Sequence, residues 1–133
     1  MTIGDPAVPR PIYTDPEIAG VGLTEEQARE KHGDEIAVGR FPWAANARAV
    51  MSGEASGWVK SIHETRYGEL LGVVIVGPHA TDLIEAAVVA LDSEATIETV
   101  ADGITAHPTL SEAFKEAGLV ALGRPIHIPL RRR

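Results

Sequence analysis

Residues 68–87 read GELLGVVIVGPHATDLIEAA, and this segment decides the fold. Residues 70–76 are aliphatic apart from one glycine and do not alternate with polar residues, which is typical of a strand buried on both faces. Gly77 and Pro78 interrupt the strand, and proline is well tolerated beside a helix N-terminus. Apolar residues then recur at helical spacing. The segment therefore predicts a central strand followed by the longest helix, over about residues 79–92.

A β-hairpin is predicted around the start of this segment. Residues 57–64 and 69–76 are both rich in strand-forming side chains, and the short stretch 65–68 separates them. Gly68 can supply the positive φ angle that such a turn requires. Other strand-forming or extended runs are predicted at residues 12–14, 18–23 and 35–43.

Helix boundaries are marked by capping residues. Thr24 and Gln27 have the spacing of a capping box, and Gly33 stands where a helix usually ends. These signals predict a helix over residues 24–32. Further helices are predicted over residues 96–101 and about 109–122, and an irregular or extended link is expected over 44–52.

The order of these elements indicates the fold class. Strands that cluster in sequence favour an antiparallel β-sheet with helices packed on it, which is an α+β fold. We expect a flexible, proline-containing lead-in over residues 1–10, one folded domain over 11–128, and a short basic tail over 129–133.

The composition excludes several classes of protein. The 133 residues include no cysteine, so disulfide frameworks, cysteine-ligated zinc, iron–sulfur clusters and thiol chemistry by this chain are ruled out. The formal net charge of −7 argues against a nucleic-acid-binding protein. No apolar run approaches the roughly 20 residues that a membrane span needs, and the first residues lack the apolar core of a secretory signal. We therefore expect a cytoplasmic protein that binds neither nucleic acid nor membrane.

His107 is the strongest candidate for a chemical role. It precedes Pro108, so we expect it to lie in a loop just before the last helix, and Glu112 follows in the first turn of that helix. A carboxylate that bonds the imidazole Nδ1 fixes the tautomer and makes the other nitrogen a better base. The alternative is a capping box, in which Glu112 accepts the backbone N–H of Thr109. The hydrogen-bond partner of Glu112 separates these interpretations.

The other motifs give weaker indications. His79 and Asp82 are three residues apart on a predicted helix, but one histidine and one carboxylate do not form a metal site, so no metal is expected. His127 has no obvious partner. The segment Gly20-Val21-Gly22 begins like a dinucleotide-binding motif, but Glu25 stands where the third glycine would be, so a nucleotide role is not expected.

Several separate segments together resemble a known family. In order and spacing they resemble the C-terminal dimerisation domain of the pyridine nucleotide–disulfide oxidoreductases, over about residues 7–128. Within that group they favour the dihydrolipoamide dehydrogenases. The segments are YTDPEIAGVGLTEEQA at residues 13–28, FPWAANARA at 41–49, GWVK at 57–60, GELLGVVIVGPHATDLIEAA at 68–87 and AHPTLSE at 106–112.

The resemblance implies roles for three residues. His107 would be the catalytic acid/base, taking a proton from a substrate dithiol or exchanging one with a thiol of the redox disulfide. Glu112 would orient His107 and stabilise its charged form. His107 and Pro108 would lie near the flavin of the partner subunit. FAD and NAD are the cofactors implied for a longer parent chain, and neither is expected to bind to this fragment alone.

The resemblance also implies an activity and partners. The parent would be a flavoprotein that oxidises dihydrolipoamide with NAD, through FAD and a redox-active disulfide, and its substrate would be carried by the lipoyl domain of a 2-oxoacid dehydrogenase complex. This domain would form a homodimer, with residues 43–49 and the last helix as candidate contacts. It would also contact the flavin- and NAD-binding domains of the parent chain. The fragment alone is expected to be inactive.

Two alternatives remain open on the sequence alone. The chain could be a stand-alone, non-catalytic dimerisation module in which Glu112 does no more than cap a helix. It could also be the same domain of another disulfide reductase, similar to glutathione reductase or mercuric reductase.

Overall fold

A five-stranded antiparallel sheet forms the centre of the molecule in the computed structural model, which describes residues 7–129. Five α-helices flank the sheet, so the predicted α+β fold is confirmed. The strands are β1 (Arg10–Ile12), β2 (Ile18–Gly22), β3 (Ile36–Pro42), β4 (Trp58–Glu64) and β5 (Leu70–Val76), and their order across the sheet is β1-β2-β5-β4-β3. The helices are α1 (Glu25–His32), α2 (Ala47–Ser52), α3 (Ala80–Asp92), α4 (Ile97–Asp102) and α5 (Glu112–Ala121).

Strand β5 lies in the middle of the sheet, as its unbroken apolar run predicts. It pairs with β2 along one side and with β4 along the other. Val73 is buried in the core on one face of the strand. Leu71, next to a register shift between Ile62 and His63 of β4, is buried in the cluster on the other face. Gly68 has a φ of 74° in the turn between β4 and β5. The central strand and the hairpin are therefore both confirmed.

Helices cover both faces of the sheet. On one face, α3 and α5 pack around a core that includes Phe41, Trp43 and Val73. On the other face, α1 packs through Ala28 against a smaller cluster that includes Ile62. Since side chains alternate along a strand, both faces of the central strands must be apolar, and this explains their near-continuous hydrophobic sequence.

The predicted helix starts are confirmed where capping residues mark them. Thr24 Oγ1 accepts the Gln27 N–H at 3.2 Å, and Gln27 Oε1 accepts the Thr24 N–H at 2.9 Å, which completes the capping box of α1. Gly33 ends that helix with a φ of 61°. The Thr96 side chain accepts the Thr99 N–H at the start of α4.

The irregular link predicted over residues 44–52 is wrong. A 3₁₀ turn at Trp43–Ala45 leads directly into α2. The Asn46 side chain accepts the Ala49 N–H at 3.0 Å, and Gly53 ends the helix with a φ of 74°. Asparagine is a favoured N-cap and alanine the best helix former, so this short segment carries its own start and stop signals.

Two element boundaries also differ from the prediction. Helix α5 begins at Glu112 rather than at Thr109, because the Thr109 hydroxyl bonds back to the Ala106 carbonyl oxygen instead of capping a first turn. Strand β1 spans Arg10–Ile12 rather than the predicted residues 12–14, so it begins one residue inside the predicted lead-in. Residues 1–6 of that lead-in and 130–133 of the predicted basic tail lie outside the described residues.

Helix α5 approaches β3 most closely at Gly39. A Cβ atom at this position would overlap the carbonyl oxygen of Ala117 and would lie 2.5 Å from the backbone nitrogen of Ala121. Both atoms belong to the helix backbone, so no side-chain rotation can relieve the overlap. The absence of a side chain at Gly39 therefore sets the distance between α5 and the sheet.

Replacing Gly39 with alanine is expected to lower the free energy of unfolding by about 3 kcal/mol, because the helix must move away from the sheet. Chemical denaturation measures this change. Gly20→Ala is the matched control, since a Cβ there would meet nothing nearer than 3.6 Å. Equal stability of the two variants would contradict the packing of α5 on β3.

His63 is a buried histidine on β4. The residue is 4% exposed, and its Nδ1 has no hydrogen-bond partner within the described part of the chain. Burial lowers the pKa of the imidazole below its ordinary value, and the charges of Glu98 and Glu64 offset this in part. The folded protein therefore binds a proton at His63 less readily than the unfolded chain does.

The free energy of unfolding should consequently fall as the pH is lowered below about 6.5, which is the ordinary pKa of histidine. The fall should continue towards the lower pKa that His63 has in the folded protein. This contribution is fully present above that range, where the ring is neutral in both states. His63→Leu removes the titrating group, so its stability should change less between about pH 7.5 and 5.5. Denaturation at each pH measures the slope, with the exposed His79→Asn as control. If the unfolding free energy of His63→Leu depends on pH as steeply as that of the unaltered protein, His63 is not the source of this pH dependence.

Candidate functional site

The loop between α4 and α5 carries His107. The His107–Pro108 peptide bond is cis. The Thr109 hydroxyl donates to the Ala106 carbonyl oxygen at 2.8 Å and closes a turn around His107. Glu112 begins α5 directly after this turn, so the imidazole lies beside the first turn of the helix.

Glu112 contacts both groups that the two interpretations of the sequence named. Its Oε1 and Oε2 lie 2.9 and 3.1 Å from His107 Nδ1. Oε2 also accepts the Thr109 N–H at 2.9 Å. The carboxylate therefore satisfies a backbone donor near the helix N-terminus and holds the imidazole at the same time. The histidine–carboxylate pair and the capping contact coexist.

The surroundings of Glu112 favour its charged form. Burial raises the pKa of its carboxyl, but the hydrogen bond from Thr109, the bond and charge of His107, and the charge of His127 together bring that pKa below its ordinary value. An ionised carboxylate only accepts hydrogen bonds, so His107 Nδ1 carries the proton between them. The neutral ring then has its lone pair on Nε2.

The His107 ring is open to approach from outside the domain. Its side chain is 59% exposed, whereas that of Glu112 is 12% exposed. A reacting group can therefore reach the imidazole while the carboxylate behind it stays shielded. An oriented imidazole with a free Nε2 has the geometry of a general acid/base.

A second histidine–glutamate pair lies next to the first. His127 Nδ1 is 2.9 Å from Glu116 Oε1, and the Glu116 side chain is 2% exposed. The sequence pattern around His127 indicates no partner, and Glu116 is not among the candidate residues that the sequence predicts. A signal was present, because Glu116 lies on the same face of α5 as the buried Ala113 and Ala117, and a buried carboxylate requires a partner.

The two pairs form one cluster, which we call the paired-histidine cluster: His107, Glu112, Glu116 and His127. The two imidazole rings are parallel within 4°, and their centroids are 6.0 Å apart. The cluster borders a cavity of about 10 Å³, room for about one water molecule. The remaining lining residues are Phe41, Ala45, Asn46 and Ala47.

Asn46 connects the 41–49 segment to the His107 loop. Its side-chain nitrogen donates to the Thr109 carbonyl oxygen at 3.0 Å, while its oxygen caps α2. The residue is buried. The same side chain thus starts α2 and fixes the backbone between His107 and Glu112. No sequence pattern predicts this role, because a contact across 63 positions leaves no local signal.

Other motifs singled out in the sequence serve structural positions. His79 Nδ1 lies 3.8 Å from Asp82 Oδ2, and both side chains are exposed. Gly20 and Gly22 belong to β2 and pair along β5. Within residues 7–129, no group of three histidine, aspartate or glutamate side chains is arranged to hold a metal ion. No helix in that part of the chain has the length and apolar character to cross a membrane.

Comparison with known proteins decides the family. Residues 8–118 match the sequence model of the pyridine nucleotide-disulphide oxidoreductase dimerisation domain. The chain belongs to this family. The match includes His107, Glu112 and Glu116 of this dimerisation domain and ends before His127.

Similar curated proteins are dihydrolipoyl dehydrogenases. The domain is 48% identical over 121 residues to the mitochondrial dihydrolipoyl dehydrogenase of Pisum sativum. The aligned region covers 91% of the domain and 24% of that relative. It is 43% identical over 127 residues to a dihydrolipoyl dehydrogenase of Bacillus subtilis. This aligned region covers 96% of the domain and 28% of that relative. The domain thus spans about a quarter of the length of these relatives.

Solved structures of disulfide reductases share the fold. LpdA from Mycobacterium tuberculosis superposes with a TM-score of 0.78 at 31% identity, covering 85% of the domain and 24% of that chain. The HOCl-induced flavoprotein disulfide reductase RclA from Escherichia coli superposes with a TM-score of 0.78 at 30% identity, covering 84% of the domain and 25% of that chain. The dimerisation-domain fold expected from the sequence is therefore confirmed.

Replacing Asn46 with alanine should lower the free energy of unfolding by about 1–2 kcal/mol, since a helix cap and a buried hydrogen bond are lost. It should also speed amide hydrogen exchange at Thr109, because the loop loses its tether. Thr24→Ala is the control, as it removes the cap of α1 without touching the loop. If both variants leave exchange at Thr109 unchanged, Asn46 does not hold the His107 loop.

Proposed function

We propose that this domain supplies the acid/base of a dihydrolipoamide dehydrogenase, with His107 as the proton carrier and Glu112 as the residue that orients it. The observation that carries this proposal is the Nδ1–carboxylate contact of 2.9 Å, which leaves Nε2 of an exposed ring free. The similarity to dihydrolipoyl dehydrogenases over more than nine-tenths of the domain favours this substrate over that of other disulfide reductases.

The proposed reaction requires a base for sulfur chemistry. Dihydrolipoamide loses two electrons and two protons as its dithiol becomes a disulfide, and NAD⁺ takes up a hydride equivalent to become NADH. FAD, when bound by the rest of the protein, would pass the electron pair between the redox disulfide and NAD⁺. His107 Nε2 would accept a thiol proton, because the thiolate is the reactive form of sulfur. Glu112 would stabilise the imidazolium that results.

The described residues fit a flavin that is held elsewhere and approaches this domain. All five strands are antiparallel, so residues 7–129 contain no parallel βαβ unit of the kind that binds dinucleotides. The cavity beside His107, at about 10 Å³, is far too small to enclose a flavin ring. FAD and NAD would therefore be bound by other domains of the parent protein. His107 and Pro108 would lie near the flavin of the partner subunit.

The family name and an exposed apolar surface support a site that is divided between two copies of the domain. The family is named for a dimerisation domain, and α2 exposes the apolar side chains of Val50 and Met51. Trp43 and Asn46 are buried within the protomer, so the exposed residues of this region are the candidate contacts. In the proposed homodimer, each copy would present His107 to the other, and the lipoyl domain of a 2-oxoacid dehydrogenase complex would deliver the substrate.

A chimera tests the proposal, in which this domain replaces the matching 28% of the Bacillus subtilis dihydrolipoyl dehydrogenase. The chimera should bind FAD and oxidise dihydrolipoamide with NAD. His107→Gln should lower kcat by about 10²–10⁴-fold, because the proton carrier is lost. Sedimentation should show the same association state for both proteins. His79→Asn, with its exposed imidazole outside the cluster, should keep full activity.

A non-catalytic dimerisation module is the second candidate. It is favoured by the bond from the Thr109 N–H to Glu112, which is a structural contact at a helix N-terminus. Normal turnover of an active chimera carrying His107→Gln would select this candidate and reject the catalytic one.

A further inference from the structure

A buried carboxylate holds the C-terminal segment against α5. Oε1 of Glu116 accepts the His127 Nδ1–H at 2.9 Å. Its Oε2 accepts the backbone N–H groups of Ile126 and His127, each at 3.3 Å. A carboxylate removed from water requires such partners, and these come from two consecutive residues of the segment that follows α5.

This contact sets a second imidazole beside His107. The parallel rings of His107 and His127, with centroids 6.0 Å apart, lie within the range of about 4.5–7 Å seen for interacting aromatic pairs. Their carboxylates, Glu112 and Glu116, are one helical turn apart on α5, so they lie on the same face of the helix. In each ring, Nδ1 is bonded to a carboxylate and Nε2 is the nitrogen left available.

A hydrogen bond at one atom does not fix the orientation of a ring. Glu112 holds Nδ1 of His107, but the exposed side chain of His107 can still rotate away about its side-chain bonds. The ring of His127 lies parallel to it, with the ring centroids 6.0 Å apart, on the side where it would limit that rotation. His127 cannot easily give way, because Glu116 holds both its ring and its backbone.

We propose, resting on the function proposed above for His107, that His127 is a positioning residue. Held by Glu116, it keeps the His107 ring against Glu112 and so keeps Nε2 presented to the reacting group. His127 lies outside residues 8–118, which match the sequence model of the family, so that model assigns it no role.

The rest of the cavity wall is consistent with this role. The other lining residues are uncharged, so no carboxylate besides Glu112 and Glu116 competes for either imidazole there. The orientation of His107 thus depends on Glu112 and on the neighbouring ring.

The first test measures the tautomer of His107 by ¹⁵N nuclear magnetic resonance of this chain. The measurement is made at about pH 8.5, well above the ordinary pKa of histidine. In the unaltered chain, His107 should be mainly the Nδ1–H tautomer, and its ring protons should show nuclear Overhauser contacts to His127. In His127→Asn, the ratio of the Nδ1–H to the Nε2–H tautomer of His107 should fall about two- to tenfold. This fold-change corresponds to the stabilisation that one aromatic pair contributes.

Asparagine retains an amide donor for Glu116 but removes the ring, so it isolates the effect of the second imidazole. His79→Asn is the matched control, because His79 is exposed and has a φ of 56°, which asparagine tolerates. It should leave the His107 tautomer ratio unchanged. His127→Phe restores a flat ring that is held only by the backbone bonds to Glu116, so it should return the ratio part of the way towards that of the unaltered chain.

An unchanged ratio in folded His127→Asn would overturn the proposal. If that variant does not fold, the unaltered chain decides, since the absence of Overhauser contacts between the two rings would equally overturn it. In the chimera, His127→Asn should lower kcat by about two- to tenfold with KM unchanged, and His127→Phe should restore part of the lost kcat. A silent His107→Gln variant would instead reject the proposed function, while the tautomer measurement would still report on the positioning of the ring.

Discussion

The contact of α5 with β3 at Gly39 is the constraint on which the candidate site depends. Backbone atoms of Ala117 and Ala121 occupy the space that a side chain would fill, so the helix can lie this close to the sheet only because position 39 is glycine. Glu112 and Glu116 both project from this helix, and each holds one imidazole. The position of both rings is therefore inherited from backbone packing, which is far stiffer than any contact between exposed side chains.

The charge of Glu112 suits the partner of an acid/base imidazole. The lowered pKa of Glu112 keeps its carboxylate ionised, and this negative charge lies 2.9 Å from His107 Nδ1. Glu112 also lies in the first turn of α5, where the helix dipole and the Thr109 N–H favour a negative charge. The carboxylate thus has stabilising contacts that do not depend on His107, and it can stay ionised while the imidazole changes its protonation state.

The sequence predicts those parts of the fold whose signals are local. The apolar run of β5 and the capping box of α1 each determine an element from adjacent residues. Asn46 shows where this approach fails, because its side chain caps α2 and reaches Thr109 at the same time. Local signals also fail for His127, because its partner Glu116 comes within reach only when the segment after α5 folds back over the helix. The pairing of His107 with Glu112 was predictable as one of two alternatives, and the three-dimensional structure was needed to show that both contacts exist together.

The cluster also explains how a domain without cysteine could serve sulfur chemistry. Within the described residues, this chain supplies contacts that hold His107: the Glu112 carboxylate on α5, the Asn46 bond to its loop and, in the proposal above, the neighbouring ring of His127. The imidazole is therefore already oriented before any other domain docks, and docking need not spend binding energy on ordering it. In the proposed reaction, the redox groups can then reside on other domains, since the requirement on this one is to present Nε2 at a fixed place on its surface. The exposure of His107, which would weaken a purely structural contact, is what such a shared site requires.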